Sequence, residues 1–315
     1  MEWKCSAIFV AAKRHLMRNV KMELRTLRAF IEVVRCGGFT EAGKKIFATQ
    51  STVSKMVKQL EEEVGVLLID RSGQRARPTE PGLIVYRRGL DMLAMRDELL
   101  RELCELHSLE RGVLRVGVPT VGGDTLFAPA IAEYRRRFPL IQIQLIEHGS
   151  ARLQELLRAG DLDVAGILLP IESDLEYRKV RREPMVVLAP EDAYPKRKGS
   201  ISLVELQDQA FLLFQQGFAL NEMILAACRR QGFVPNVAMH SAQTRFIAKL
   251  VEARLGVAFM PLMVAIADKP SGVAILELDA PDISWNMSLA WRRDSYLPKA
   301  ATAFIDLVQE IVADH

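Results

Sequence analysis

Cysteine is scarce in this chain: four residues among 315, at positions 5, 36, 104 and 228. None forms a Cys-x-x-Cys pair or a metal-ligand spacing. Neither a disulfide scaffold nor a metal module is expected, and a reducing compartment fits. The five histidines are scattered, and His148 and His240 have no obvious shared carboxylate. No apolar run approaches the roughly 18 residues of a membrane span, so no membrane association is expected. Ser-x-x-Lys, Gly-x-Ser-x-Gly and His-Glu-x-x-His are all missing. Gly117-x-Pro119-x-x-Gly122 is no dinucleotide fingerprint, because Pro119 stands where its second glycine belongs. An enzyme is therefore not expected, and no catalytic residue, cofactor or metal is assigned.

What is present suits a globular chain of two to four lobes. Half the residues are hydrophobic and a quarter charged. The net charge of +3 is unevenly spread. Residues 1–111 hold 20 Lys/Arg against 15 Asp/Glu, and the remainder holds 22 against 24. A mildly basic head on a slightly acidic body allows a polyanionic partner for the head. Residues 1–21 carry the apolar patch Ala7 to Ala12, followed by Lys13, Arg14 and His15. That makes a poor signal peptide, and the segment reads as an N-terminal extension.

From Met22 the periodicity becomes helical. Leu24, Leu27, Phe30, Ile31, Val33 and Val34 line one face, and Gly37-Gly38 ends that helix. Thr40 is expected to cap a short helix over Glu41–Phe47, with Ala42, Ile46 and Phe47 inward and Gly43 allowing close approach. Thr49 or Ser51 caps a third helix running to about Val64. Val53, Met56, Val57, Leu60 and Val64 form its apolar face. Gln50, Ser51, Thr52, Ser54, Lys55 and Lys58 form the opposite one. Two helices joined by a tight turn can lay the second in a major groove, whose base edges Gln, Ser, Thr and Lys can read. A small helical bundle with a solvated polar face fits the same pattern.

The next stretch favours DNA. Gly65 to Ile69 is a turn into a short strand. Asp70 to Thr79 is a loop with Arg71, Arg75 and Arg77 and a return strand, together a wing able to reach the backbone or minor groove. Thr79 caps a long helix from about Pro81 to His107. Leu83, Tyr86, Leu90 and Leu93 repeat as in a heptad seam, and the register resumes through Leu99, Leu103 and Leu106. Such a helix either pairs with a second copy or packs on its own body.

The larger remainder reads as α/β. Strands at Leu114–Val118, Ile141–Ile146 and from Val164 alternate with helices, which implies a parallel sheet. Met185–Ala189 gives another strand. Strands and helices between about 190 and 263 form a second lobe. Val273–Leu278, Met287–Trp291 and a helix over Lys299–Val312 return to the first. Crossings are expected near residues 190 and 262, with a cleft between the lobes.

Residues 22–82, MELRTLRAFIEVVRCGGFTEAGKKIFATQSTVSKMVKQLEEEVGVLLIDRSGQRARPTEPG, resemble the head domain of the LysR-type transcriptional regulators. The specific features are Leu27 to Phe30, Gly38-Phe39-Thr40, Gln50-Ser51, Val53-Ser54, Leu60-Glu61, Gly65, Arg71 and Thr79-Glu80 with Gly82. Departures are Ala42-Gly43 for Ala-Ala, Ser51-Thr52 before the Val-Ser pair, and Leu68-Ile69-Asp70-Arg71 for Leu-Phe-x-Arg. The resemblance runs to about residue 300 and weakens after 112.

It implies a winged helix-turn-helix over 22–80, a linker and dimerisation helix over 81–108, and a two-lobed effector domain similar to periplasmic solute-binding proteins. Lobe I is then 112–189 with 264–312, and lobe II is 190–263. The DNA-facing set becomes Thr40, Gln50, Ser51, Thr52, Ser54, Lys55, Lys58, Arg71, Arg75 and Arg77. The effector set becomes Thr120, Val121, Gly122, Gly149, Ser150, Phe214, Gln215 and Gln216. Backbone N–H groups and hydroxyls at helix starts suit a carboxylate or another small anion, and the resemblance implies an organic acid or aromatic carboxylate. Thr120 and Ser150 also fit plain N-capping, and Phe214 also fits a core position. His148 and Arg152 fit either a source of charge for the site or plain solvent exposure. The implied partners are duplex DNA, that effector, further copies of the chain up to a dimer of dimers, and RNA polymerase. The implied location is the cytoplasm, at the nucleoid.

Overall fold

The computed structural model describes residues 22–71, 75–105, 112–193, 199–215, 217–280 and 282–313. The expected N-terminal extension, Leu106 and Gln216 lie outside them. The chain divides into two compact units, 1–99 and 100–315.

The first unit begins with α1 (Leu24–Cys36), α2 (Phe39–Ile46) and α3 (Gln50–Val64). Gly37 takes a left-handed φ of 67° and stops α1. The apolar faces meet in one core of Leu27, Phe30, Ile31, Ala42, Val53, Val57 and Leu60. Each large side chain removed from water there contributes about 1.5–3 kcal/mol. Gly43 is required: a Cβ would lie 2.6 Å from the Ala48 carbonyl oxygen. β1 (Ile69–Asp70) and β2 (Arg77–Pro78) pair antiparallel as the wing. Ala76 donates its N–H to the Gly37 carbonyl at 3.1 Å, which ties the wing to the α1–α2 turn.

The long helix α4 (Glu80–Glu105) follows. Thr79 caps it, accepting from the Gly82 N–H at 3.0 Å. Gly89 lets it approach α1, since a Cβ there would meet Leu27 Cδ1 at 2.7 Å. That approach turns part of the expected seam inward, while Leu83, Leu99 and Leu103 of the same series stay exposed. Tyr86, Leu90 and Leu93 pack on the head's own core. The apolar side chains left exposed include Leu83, Ile84, Met92, Met95 and Leu99. Ile84, Met92, Met95 and Leu99 share one face of the helix.

The second unit holds two sheets joined by one strand. In the first lobe β3 (Gly112–Pro119) pairs parallel with β4 (Ile141–His148) and with β5 (Val164–Leu168). The crossover helices are α5 (Gly123–Arg137) and α6 (Ser150–Arg158). Buried Asp163 pins β3 to β5, accepting from the Arg115 N–H at 2.8 Å and from its Nη2 at 2.7 Å. In the second lobe β8 (Ala210–Phe214) pairs parallel with β9 (Asn236–Ser241) and with β10 (Val257–Pro261). Its helices include α7 (Ala219–Arg230), α8 (Thr244–Glu252) and α9 (Leu262–Ala267).

The joining strand is β6 (Leu175–Pro190), 16 residues long. Its first part pairs with β12 (Ser284–Arg292), from Leu175 to Pro184. Its last part pairs with β10 and with β11 (Val273–Leu278). The lobes therefore change at 184/185 and again at 279–283, not near 190 and 262. β11 belongs to the second lobe, where it also pairs with β7 (Ser200–Ile201). α10 (Lys299–Ala313) covers the first lobe's sheet, and its Phe304 meets Tyr134 of α5 edge-on at 5.5 Å.

Candidate functional site

In the first unit α3 presents Gln50, Ser51, Lys55 and Lys58 fully outward, with Thr52 and Ser54 half-buried beside them. Thr49 caps the helix: its Oγ1 accepts from the Thr52 N–H at 3.2 Å and lies 3.0 Å from the Ser51 hydroxyl. The free N–H groups of this first turn form an end that favours an anion, next to the outward polar side chains. Lys58 pairs loosely with Glu62 at 3.5 Å.

Thr40 is placed differently from expectation. α2 starts at Phe39 with Gly38 in the cap position, so Thr40 lies inside the first turn and makes no capping bond. It is nonetheless exposed.

The wing arginines separate into two kinds. Arg75 and Arg77 are exposed. Arg71 is held: its Nη2 donates to Glu61 at 3.2 Å, and its guanidinium lies 5.2 Å from the Phe39 ring centre. Its side chain still keeps 46% exposure, so one edge faces outward.

Phe47, expected inside, lies outside and is 99% exposed. The turn after α2 needs a left-handed residue, and Phe47 supplies it with φ 56°. That conformation rotates the side chain away from the core. Helical periodicity alone cannot show this, because position 47 is no longer helical.

In the second unit the loop 120–122 follows β3. Thr120 is half-buried and Val121 buried. Gly122 takes φ 78°, and a Cβ there would meet Met263 Cε and Trp285 Cζ2 at 2.8 Å. Trp285 is fully buried and its indole N–H has no partner. Thr120 opens on a cavity of about 470 Å³ shared with Asp124, Glu147, Gln243 and Arg245. The loop 149–150 reaches the other lobe: a Cβ on Gly149 would lie 3.2 Å from the Gly217 carbonyl oxygen. Ser150 is buried and accepts from the Leu168 N–H at 3.1 Å. It begins α6 as its first residue, while Gly149 holds the cap position.

Phe214 is a core residue, 2% exposed and stacked on Phe218 at 5.7 Å. Gln215 is exposed and donates its N–H to the Ser241 carbonyl at 3.0 Å. Buried Asn221 fixes this strand end, accepting from Phe214 N–H and donating to the carbonyls of Phe214 and Gln215. His148 is exposed, and Arg152 is paired with Glu155 at 2.6 Å.

A second cavity of about 470 Å³, absent from the sequence expectation, lies along the crossover strands. Lys179, Arg181, Arg182, Asp282, Asn286 and Ser288 are on its wall, with Leu169 beside them. Arg181 is paired with buried Glu183 at 2.6 Å. The Ser288 hydroxyl is fully buried and without a hydrogen-bond partner. The basic run at 178–182 is its only sequence signal. Among the described residues no group of three or more His, Cys, Asp or Glu side chains is placed to hold a metal ion. No helix among them is long and apolar enough to cross a membrane.

Comparison with known proteins agrees with this geometry. The family described as "Bacterial regulatory helix-turn-helix protein, lysR family" matches residues 24–83. The "LysR substrate binding domain" matches residues 107–313. The chain belongs to the LysR family: it is a DNA-binding transcriptional regulator with an effector-binding domain, and not an enzyme. It is 31% identical to the uncharacterised HTH-type regulator YwbI of Bacillus subtilis, over 93% of this chain and 98% of that one. It is 27% identical to the transcriptional dual regulator GltC of the same organism, over 91% and 96%. A full-length OxyR variant from Pseudomonas aeruginosa has a TM-score of 0.66 at 26% identity, with 91% and 95% covered. CbnR solved with its target DNA shares the fold, with a TM-score of 0.60 at 19% identity and 92% and 99% covered.

Proposed function

We propose that this regulator reads a two-fold repeated DNA site as a dimer or dimer of dimers, in the cytoplasm at the nucleoid, and is switched by a small organic carboxylate. Gln50, Ser51, Thr52, Ser54, Lys55 and Lys58 meet the major groove, and Thr40 with the wing arginines meets the backbone. RNA polymerase is the partner through which the bound protein acts on transcription. The exposed apolar face of α4, with Ile84, Met92, Met95 and Leu99, supports pairing with a second copy.

The observation that carries the effector class is the cationic cavity. Lys179, Arg181 and Arg182 outnumber Asp282 on the wall of this pocket, and since Arg181 is paired with Glu183, Lys179 and Arg182 carry its excess of positive charge. Leu169 on its wall follows Leu168, whose N–H is held by Ser150. Neither Gly149 nor Ser150 lines the basic pocket, but the chain runs from the Ser150 contact at Leu168 directly into its wall at Leu169. The Thr120 cavity carries Asp124 and Glu147 against Arg245 and suits an anion less well. A carboxylate that binds one lobe arrangement more tightly than another shifts that equilibrium, and only such differential binding can switch DNA affinity.

The test is a thermal-shift screen of organic acids on the full chain, repeated with Arg182→Gln, Ser150→Ala and Thr120→Ala. An acid that raises the melting temperature of the parent and not of Arg182→Gln is expected. A hit indifferent to all three substitutions, or a screen in which no acid shifts the parent, overturns the assignment.

A further inference from the structure

Phe47 is the most exposed large apolar side chain among the described residues, and it stands in the turn of the helix-turn-helix. Two separate penalties meet at this one residue. A left-handed φ of 56° disfavours any residue with a Cβ. A ring 99% exposed gains nothing from burial. The turn itself needs neither. Its closing bonds are backbone only: the N–H groups of Phe47 and Ala48 both point to the Gly43 carbonyl. Glycine or asparagine would close the same turn with less strain.

The surroundings indicate what covers the ring. Lys44 and Lys45 precede it on α2, both exposed. Thr49, Gln50 and Ser51 follow it, also exposed, at the anion-accepting start of α3. Lys44 is paired with exposed Glu41 at 2.7 Å, and Lys45 has no such ion pair among the described residues; the ring is the apolar member of a polar surface that, on the DNA reading proposed above, faces the duplex.

We propose that Phe47 is a DNA-contacting residue. Its ring packs on the deoxyribose next to the phosphate held by the first turn of α3. A sugar face is apolar and recurs at every nucleotide, so the contact adds affinity without choosing a base. Docking would bury the ring and recover the apolar free energy that the free protein forgoes.

Phe47→Gly separates affinity from folding, because glycine suits the left-handed turn. Fluorescence anisotropy on the protein's own upstream region and on a random duplex is the readout, over a salt series. The expected result is binding about tenfold weaker on both duplexes, with an unchanged salt slope because no cation is lost. The melting temperature should stay level or rise. Phe47→Tyr should restore most of the affinity. Equal binding by Phe47→Gly and the parent would overturn the proposal. So would a defect seen only in transcription with polymerase present, which would make the ring a protein contact. A loss confined to the specific duplex would move the contact from sugar to base and overturn the backbone assignment. Parent protein that binds neither duplex would instead count against the DNA face as a whole.

Discussion

Glu61 and Arg71 join the recognition helix to the wing through one buried carboxylate. Glu61 is 6% exposed; its Oε1 accepts from the N–H groups of Leu68 and Ile69 at 2.8 and 3.1 Å, and its Oε2 accepts from Arg71 at 3.2 Å. Removing the acceptor leaves two backbone donors without partners in or beside the core. Glu61→Ala should therefore destabilise the first unit by about 3 kcal/mol. Arg71→Ala should cost about 1 kcal/mol, since the carboxylate keeps its two backbone donors. Calorimetric unfolding of the two variants checks the order.

The same contact ranks the wing arginines on DNA. Arg75→Ala and Arg77→Ala should each lower the slope of log affinity against log salt by about 1. Arg71→Ala should lower it less, because its guanidinium is already spent on Glu61 and Phe39. Equal slopes for all three would refute that ranking.

Capping gives a paired test on α2 and α3. Thr49→Ala removes the side chain that accepts from Thr52 and should cost about 1 kcal/mol. Thr40→Ala removes no cap and should change stability by less than about 0.5 kcal/mol. Its effect is expected in DNA affinity instead, measured by anisotropy.

On α4 the two faces should fail differently. Met95→Glu with Leu99→Glu places charge on the exposed face and should yield folded monomers in light scattering. Leu90→Glu places charge against the head core and should unfold the first unit.

One surface cluster predicts a pH response. Glu133 receives hydrogen bonds from Arg136 and Arg137 at 2.7 Å, which pull its carboxyl down to about 2. The folded value is depressed, so the contribution is complete above the ordinary carboxylate range and fades as pH falls toward about 2. NMR titration should show Glu133 ionised at pH 4. Replacing both arginines with glutamine should return it to the ordinary range.

Much of the architecture is legible because burial writes a period into the chain. α1 and α3 show it at Leu27, Phe30 and Ile31 and at Val53, Val57 and Leu60. The parallel strands show it as short apolar runs bounded by loops. The first half of β6 is illegible for the opposite reason: it turns Glu176, Tyr177, Arg178 and Lys179 to solvent and buries only Leu175 and Val180. It reads as a charged loop, which hides where the chain changes lobes. The outward polar face of α3, where the DNA contacts are proposed, is legible because its residues lie on one helix. The cationic cavity is not, because Lys179 and Ser288 come together only through strand pairing.

That pairing also governs what kind of motion the effector domain can make. Because β6 runs unbroken through both sheets, the lobes are not beads on a flexible tether. Any rotation of one against the other must wind or unwind a hydrogen-bonded ribbon, so the joint resists in both directions and returns when released. An effector bound in the cavity proposed above would act against a torsion spring.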